Sequence, residues 1–478
     1  MSKIFSNSII YTIGRVLPQA FSFILLPVYT FYLTPSDYGI INSMTVFSSI
    51  LILVFTLALD RGVLRLYYDF NDKYDKKKYL GTIFISIVLA SSAFLILTFV
   101  FQNLISSIYI SIDFYPYFFL TILTSYFQVF SILPLIILQL NDKPLKYISL
   151  TLLNFLASTI FILYFIFYSN RGAEGFLFGM LLGTIITTPF FLYIVFKQVI
   201  FKFEKQNLLR TFKFTLPMIP TLASAWFLNL SDRIFIERYF SLDDVALYSV
   251  GSKISAIIIM IFGAFSLAYS PYFFKNATNN NSNEIKIKLA QSNNFVAEIF
   301  IILSFILCLL SEELITLFFN KFYSNSLIVI EILIFHSVIS VFLGLLNLMY
   351  YQVKATLSLM YIFIFGAFVN LLLNFVLIPS YSYIGASIAT SISFLFMFFV
   401  QLYFSKKMFY LRFVWNKLMF LIFLFILSYV IFKFYLDISL VYSLLLKLIF
   451  TFFVIILFTK SKKINFFSLF NSLKNISK

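Results

Sequence analysis

Residues 32–43 read YLTPSDYGIINS, and residues 239–250 read YFSLDDVALYSV. Both are polar interruptions between long apolar runs. At an offset of 207, Tyr32 falls on Tyr239, Leu33 on Phe240, Thr34 on Ser241, Asp37 on Asp244, Gly39 on Ala246 and Ile40 on Leu247. The shared core is an aromatic ring, a hydroxyl, an aspartate and a small residue. The same offset sets Lys3 on Arg210 and Phe5 on Phe212. An aspartate at the mouth of an apolar run can cap the helix that follows. The two stretches therefore predict one turn used twice, and with it an internal repeat.

The rest of the chain sets the class. Of 478 residues 61% are hydrophobic and 11% charged, and the mean hydropathy is +0.98. A soluble domain is about half apolar and about a quarter charged. There are 67 Phe and 31 Tyr, so the apolar content is bulky. Runs of roughly 20 apolar residues match the bilayer core, because a helix rises about 1.5 Å per residue. The expected fold is an all-α polytopic membrane protein with fourteen spans. The first is residues 9–33, the second 40–59, the seventh 214–236 and the eighth 247–270; the last two are 416–432 and 440–459. The first run carries Arg15, Pro18 and Pro27 and lacks a small-residue cleavage site, so it does not read as a cleavable leader.

Orientation follows from lysine and arginine. With Lys3 cytoplasmic, 27 of the 35 basic residues fall in cytoplasmic connections. Only Arg171, Arg238, Lys321 and Lys433 fall opposite, while Arg15, Arg233, Lys253 and Lys447 lie within apolar runs. This places both termini in the cytoplasm. It also explains the net charge of +16 without nucleic acid; the basic tail adds at most attraction to anionic lipid.

The hinges join spans one and two, then seven and eight. Six spans separate them, an even number, so the two hinges lie on the same, outer side. The expected organisation is a parallel duplication: a six-helix half over 1–205, a second over 206–410, two further spans over 411–460 and a basic tail over 461–478. Paired halves of this kind build the midplane sites of many transporters.

Charges inside a bilayer cost about 2.5–3.5 kcal/mol each on insertion scales, so they face water or a partner. Ser8, Thr12, Arg15, Gln19 and Ser22 follow alternating steps of four and three, one face of a helix. Arg15 on that stripe is a cavity candidate; snorkelling is the competing reading. Thr221, Ser224, Asn229, Asp232 and Arg233 form the corresponding set in the seventh span. Asp232 and Arg233 lie near its outer end, where snorkelling again competes. Lys253 lies two turns into the eighth span. Gly366, Asn370 and Asn374 repeat every four residues, and Thr121, Ser125, Gln128 and Ser131 form another stripe; such stripes often join helices. Asp60, Asp232, Glu298 and Glu331 are the candidates to carry a coupling ion. For Asp60 the alternative is an interfacial pair with Arg61 or Arg65. His336, the single histidine, reads as a core residue.

No catalytic constellation appears. Cys308 is the single cysteine, no paired-cysteine metal spacing exists, and no Gly-rich nucleotide loop is present. Asp243–Asp244 could mimic the acidic metal pair of a polyprenyl-dependent glycosyltransferase, but it belongs to the hinge. No cofactor is implied.

The opening SKIFSNSIIYTIGRVLPQAFSFILLPVYTFYLTPSDYGIINS and the later LALDRGVLRLYYDF, with Arg61, Arg65 and Tyr67, resemble Wzx-type polysaccharide flippases. These belong to the multidrug/oligosaccharidyl-lipid/polysaccharide exporter superfamily. The resemblance covers about the first 70 residues by motif and nearly the whole chain by helix count. It implies a flippase for an undecaprenyl-diphosphate-linked oligosaccharide repeat unit of O-antigen or capsule. It implies a location in the bacterial inner membrane, with a polysaccharide polymerase and a chain-length regulator as partners. It also implies a cationic cavity, and carries Arg15, Arg61, Arg65, Arg233 and Lys253 as substrate-binding candidates. Few of these lie mid-membrane, which points the diphosphate to the cytoplasmic rim at Arg61 and Arg65. Two other classes compete. A multidrug antiporter of the same superfamily would have twelve spans and acidic cavity residues. A membrane polymerase or glycosyltransferase would need a sizeable outer loop, whereas the longest outer connection is residues 311–326.

Overall fold

The computed structural model describes residues 11, 14, 16–279, 283–434 and 440–461, and their regular structure is helical throughout. Two compact units share the chain. The first comprises Ile13–Ser249 and Met360–Ser393; the second comprises Met1–Thr12, Val250–Leu359 and Phe394–Lys478.

The first unit holds α1 (Leu26–Tyr32), α2 (Pro35–Thr56), α3 (Leu59–Leu66), α4 (Lys73–Val100) and α5 (Gln102–Ser106). It continues with α6 (Phe119–Leu140), α7 (Pro144–Phe167), α8 (Gly172–Gln198), α9 (Lys205–Thr215), α10 (Ile219–Leu230) and α11 (Asp232–Tyr239). The helix α12 (Leu242–Asn279) starts in the first unit and runs on in the second. There follow α13 (Asn283–Leu309), α14 (Ser311–Phe318), α15 (Leu327–Gln352), α16 (Thr356–Ser405), α17 (Trp415–Phe434) and α18 (Leu440–Ser461).

Ten helices among the described residues are long and apolar enough to cross a membrane. Fourteen apolar runs map onto fewer such helices for three reasons. The fifty-residue α16 contains two runs, joined across a break at Ser382 (φ 48°, ψ −133°). Val16–Tyr32 and Tyr442–Ile456 are apolar but shorter. The run 214–236 is divided: Pro217 and Pro220 have no N–H to give a continuous ladder, so a 3₁₀ turn at Leu216–Met218 precedes α10, and α11 follows separately.

Both hinges are built alike. At the start of α2 the Thr34 hydroxyl donates to Asp37 Oδ2 at 2.6 Å and accepts the Asp37 N–H at 3.1 Å. At the start of α12 the Ser241 hydroxyl donates to Asp244 Oδ2 at 2.6 Å and accepts the Asp244 N–H at 3.1 Å. Each satisfies an N–H that an open helix end leaves without a partner. Asp37 does more: its Oδ1 accepts the Ala173 N–H at 2.9 Å, fixing the start of α8 to the first hinge. The two hinges also meet. A Cβ on Gly39 would lie 2.0 Å from the Leu242 carbonyl oxygen, so α2 and α12 approach as closely as backbone allows.

Packing in the first unit uses small residues and hydroxyls. Gly175, Gly179 and Gly183 of α8 recur every fourth residue, and a Cβ on Gly179 or Gly183 would strike the α7 backbone at Ile162 or Ser158. That pattern lets two helices approach without help from the hydrophobic effect, which is absent between helices in lipid. Asn154 donates to the Thr187 hydroxyl at 2.7 Å across the same seam. Ser125 of the α6 stripe meets Ser48 of α2 at 2.7 Å, so that stripe joins helices.

In the second unit, ionic contacts hold the last two helices to their neighbours. Lys417 of α17 lies 3.1 Å from Glu298 of α13. Lys433 lies 2.6 Å from Glu331 of α15, which also accepts the Tyr429 hydroxyl. Lys447 of α18 lies 2.6 Å from Glu313 and 3.4 Å from Glu312 of α14. Phe305 and Phe425 stack at 4.2 Å between α13 and α17.

Candidate functional site

Three groups of polar residues stand out, and each belongs to a single unit. The first lies at the end of the first unit that carries the lysine- and arginine-rich connections. Arg61 and Arg65 sit on α3, one turn apart, with side chains 55% and 63% exposed. Asp60 lies 3.2 Å from Arg61, and its burial lifts the carboxyl above the usual range against the pull of that arginine. Arg65 reaches Asp69 Oδ1 at 2.6 Å, and Arg210 of α9 reaches Asp69 Oδ2 at 2.7 Å. One carboxylate thus holds two guanidinium groups, one four residues away and one 141 residues away in the chain. The approach is fixed by packing: a Cβ on Gly62 would strike the Thr211 and Thr215 methyls, and Tyr79 meets the Thr211 hydroxyl at 3.2 Å. Lys78 pairs with Glu204 ahead of α9. The result is an exposed cationic patch with rigid footing, suited to an anion with several oxygens.

The second group is buried. Asp232 opens α11 and is 0% exposed. It accepts three neutral donors: the Tyr248 hydroxyl of α12, the Asn374 amide at 2.9 Å and the Thr390 hydroxyl at 3.1 Å, both of α16. The Asn374 amide also contacts Asn370 Oδ1 at 3.2 Å, while Asn374 Oδ1 has no hydrogen-bond partner. Arg233 lies over the Tyr248 ring at 4.8 Å and donates to the Asn229 carbonyl at 2.6 Å. Asp232 therefore does not snorkel to the surface, the competing reading of its place in the chain. A buried carboxylate held by two hydroxyls and an amide N–H, with the Asn374 Oδ1 lacking a hydrogen-bond partner, is a set that suits a proton or a hard cation, which takes oxygen ligands.

The third group is the tethers of the second unit. Glu298 is 2% exposed and Glu331 is 18% exposed, each with a lysine partner. His336 is buried edge-on against Phe394 at 4.2 Å and contacts Ser340 at 3.2 Å. Lys253 is exposed in the second unit. Arg15 lies outside the described residues. Arg61, Arg65 and Arg233 share the first unit, but Arg61 and Arg65 stand on α3 and Arg233 on α11.

Several of these residues were not singled out from the sequence. Arg210 was marked only by its repeat match to Lys3. Tyr248 stands inside the second hinge, and Asn370 and Asn374 stand in a stripe that reads as helix glue. Thr390 carries no local signal, since only the fold brings it to Asp232; Asp69 stands four residues from Arg65, a local spacing, and only its contact with Arg210 depends on the fold.

Comparison with known proteins agrees with this architecture. The family model described as "Polysaccharide biosynthesis protein" matches residues 4–277, and the one described as MatE matches 217–376. The chain is 26% identical over 280 residues to "Lsg locus putative protein 1" of Haemophilus influenzae, covering 57% of this chain and 66% of that protein. It is 25% identical over 418 residues to "Capsular polysaccharide biosynthesis protein CapF" of Staphylococcus aureus, covering 83% and 98%. Among solved structures, "Lipid II flippase MurJ, inward closed conformation" is similar in fold, with a TM-score of 0.74 at 16% identity over 95% of this chain and 99% of that one.

Proposed function

The chain belongs to the polysaccharide biosynthesis protein family, and from that membership we propose that this multi-pass membrane protein is a flippase for a lipid-linked oligosaccharide. The substrate is an undecaprenyl-diphosphate-linked repeat unit, moved from the cytoplasmic to the outer leaflet of a bacterial inner membrane. Movement is by alternating access between two six-helix halves, 1–205 and 206–410, with both termini cytoplasmic. The chain carries no covalent chemistry of its own, and a polysaccharide polymerase and chain-length regulator take up its product.

The observation that carries this reading is the arginine patch on α3. Arg61 and Arg65 are half-exposed or more, and they sit at the lysine- and arginine-rich end. A diphosphate presents several anionic oxygens at the cytoplasmic face, and forked guanidinium groups bind such oxygens in pairs. Arg15, Arg233 and Lys253 are the further cations proposed to meet the diphosphate along its route. The coupling ion is assigned to Asp232, whose donors are all neutral. Asp60, Glu298 and Glu331 each have a basic partner, so binding a cation there would first require breaking an ion pair. The name of the Staphylococcus aureus relative, a capsular polysaccharide biosynthesis protein, supports a polymer precursor over a drug as cargo.

Deleting the gene should abolish surface glycan and leave lipid-linked repeat units on the cytoplasmic leaflet. Double substitution Arg61→Ala/Arg65→Ala should fail to restore the glycan at matched protein level, since each charge-assisted contact contributes about 1.5–3 kcal/mol. A deletion strain that still carries single repeat units on its surface lipid would show that flipping is intact, and would favour a polymerase.

A further inference from the structure

We propose that Glu237 is the positioning residue that transmits the state of Asp232 to an outer closure formed by the connection after α5. This rests on the reading of Asp232 as the coupling carboxylate.

Asp232 and Glu237 stand at opposite ends of the eight-residue α11, about 7.5 Å apart along the helix axis. Glu237 is 2% exposed. Its Oε1 accepts the backbone N–H of Ser111, and its Oε2 has no hydrogen-bond partner. Arg233, one turn back, directs one nitrogen to the Asn229 carbonyl and lies over Tyr248. Residues 101–113, which contain Ser111, hold no lysine or arginine, which marks the outer side. From the same connection Tyr109, 1% exposed, donates its hydroxyl to the Ser43 carbonyl of α2 at 3.2 Å. Beside it α2 meets α12 at Gly39 and Leu242. One short helix therefore has the buried ion-type site at its start and the outer packing of the first unit at its end.

The choice of a carboxylate matters. A glutamine would accept the same N–H without burying charge. Glutamate buries an ionisable group with one oxygen unsatisfied, which is costly away from water. That cost opposes the closed arrangement, and the Ser111 N–H favours it. The position is thus balanced between two states, and a small shift of α11 from its Asp232 end changes the balance. A device of this kind needs an element with two arrangements that both sites bias.

The test reads the closure without any substrate. Cys308→Ser removes the native thiol, and Ser43→Cys places a reporter at a 0% exposed position of α2. The rate of labelling by a membrane-impermeant maleimide is followed in the full-length chain, in right-side-out and inverted membranes. Glu237→Gln keeps the acceptor and drops the buried charge, so labelling from the outer side should slow, on the order of fivefold. Glu237→Ala drops the acceptor, so labelling should quicken by a similar factor. Asp232→Asn should change the rate in the Glu237 parent and leave it unchanged in the Glu237→Ala background. Shifts of the two Glu237 variants in the same direction, or none in either membrane orientation, would overturn the proposal, and so would an Asp232→Asn effect that persists in Glu237→Ala. Because the labelling needs no glycolipid, the expected labelling changes in a parent chain that does not move the glycolipid would count against the flippase reading alone.

Discussion

Asp232→Asn will reduce ion-driven transport at least tenfold while the protein still inserts and purifies. Asp232 is wholly buried, and its two oxygens accept from Tyr248, Asn374 and Thr390. Asparagine replaces one acceptor oxygen with an NH₂ group, which then faces hydroxyl and amide donors. A hydrogen bond to a charged group contributes about 1.5–3 kcal/mol, and an unsatisfied buried donor costs about 1–3 kcal/mol. The first alone reaches the ~1.4 kcal/mol that corresponds to tenfold in affinity, and the second adds to it. Removing the carboxylate also removes the charge that a proton or metal cation would meet. Thr390→Ala, which deletes one donor and keeps the charge, should show a smaller loss. The check is uptake in proteoliposomes under separate proton and sodium gradients. An undiminished rate for Asp232→Asn under both gradients would transfer the coupling role elsewhere.

Lys447→Met will be the most destabilising single change among the helix tethers. The Lys447 side chain is 5% exposed and lies 2.6 Å from Glu313, itself 2% exposed. Glu313 also accepts the Ser443 hydroxyl at 2.8 Å. Removing one partner of a buried pair leaves the other charge uncompensated, at a cost of about 3–5 kcal/mol. The lysine also holds α18 to α14, so that contact is lost with it. Adding Glu313→Gln removes the stranded charge and should restore most of the stability. Melting curves of the purified single and double variants measure both. Equal curves for Lys447→Met and the parent would show that α18 is held by apolar packing alone.

Much of the fold was legible because membrane helices declare themselves by length and hydrophobicity, and because the hinge was written twice. Asp37 and Asp244 read from the sequence as the helix caps; in the structure the hydroxyls of Thr34 and Ser241 accept the aspartate N–H groups, and Asp37 completes a capping box from the third helical position, a local device in either form. The run 214–236 was read as one helix. Its prolines were visible, yet the separate α11 depends on how Asp232 is held from α12 and α16, which no local pattern reports. The same reason hid the contact of Arg210 with Asp69, whereas Arg65 and Asp69 stand at a local four-residue spacing. The lysine partners of Glu298, Glu331 and Glu313 were also out of reach. They lie 102 or more positions along the chain, and Lys433 and Lys447 each read as an isolated charge. The residue types were identified as unusual; their partners are set by tertiary packing.

The most direct measurement is flipping by the purified chain. Liposomes are prepared with a labelled polyprenyl-diphosphate oligosaccharide, and an external glycan-specific reagent reports which leaflet holds it. The chain should move the label between leaflets in an ion-dependent manner, Asp232→Asn should not, and Arg61→Ala/Arg65→Ala should move it slowly. A properly folded, reconstituted chain that leaves the glycolipid in place but exchanges small organic cations for protons or sodium would contradict the account and assign the protein to drug export.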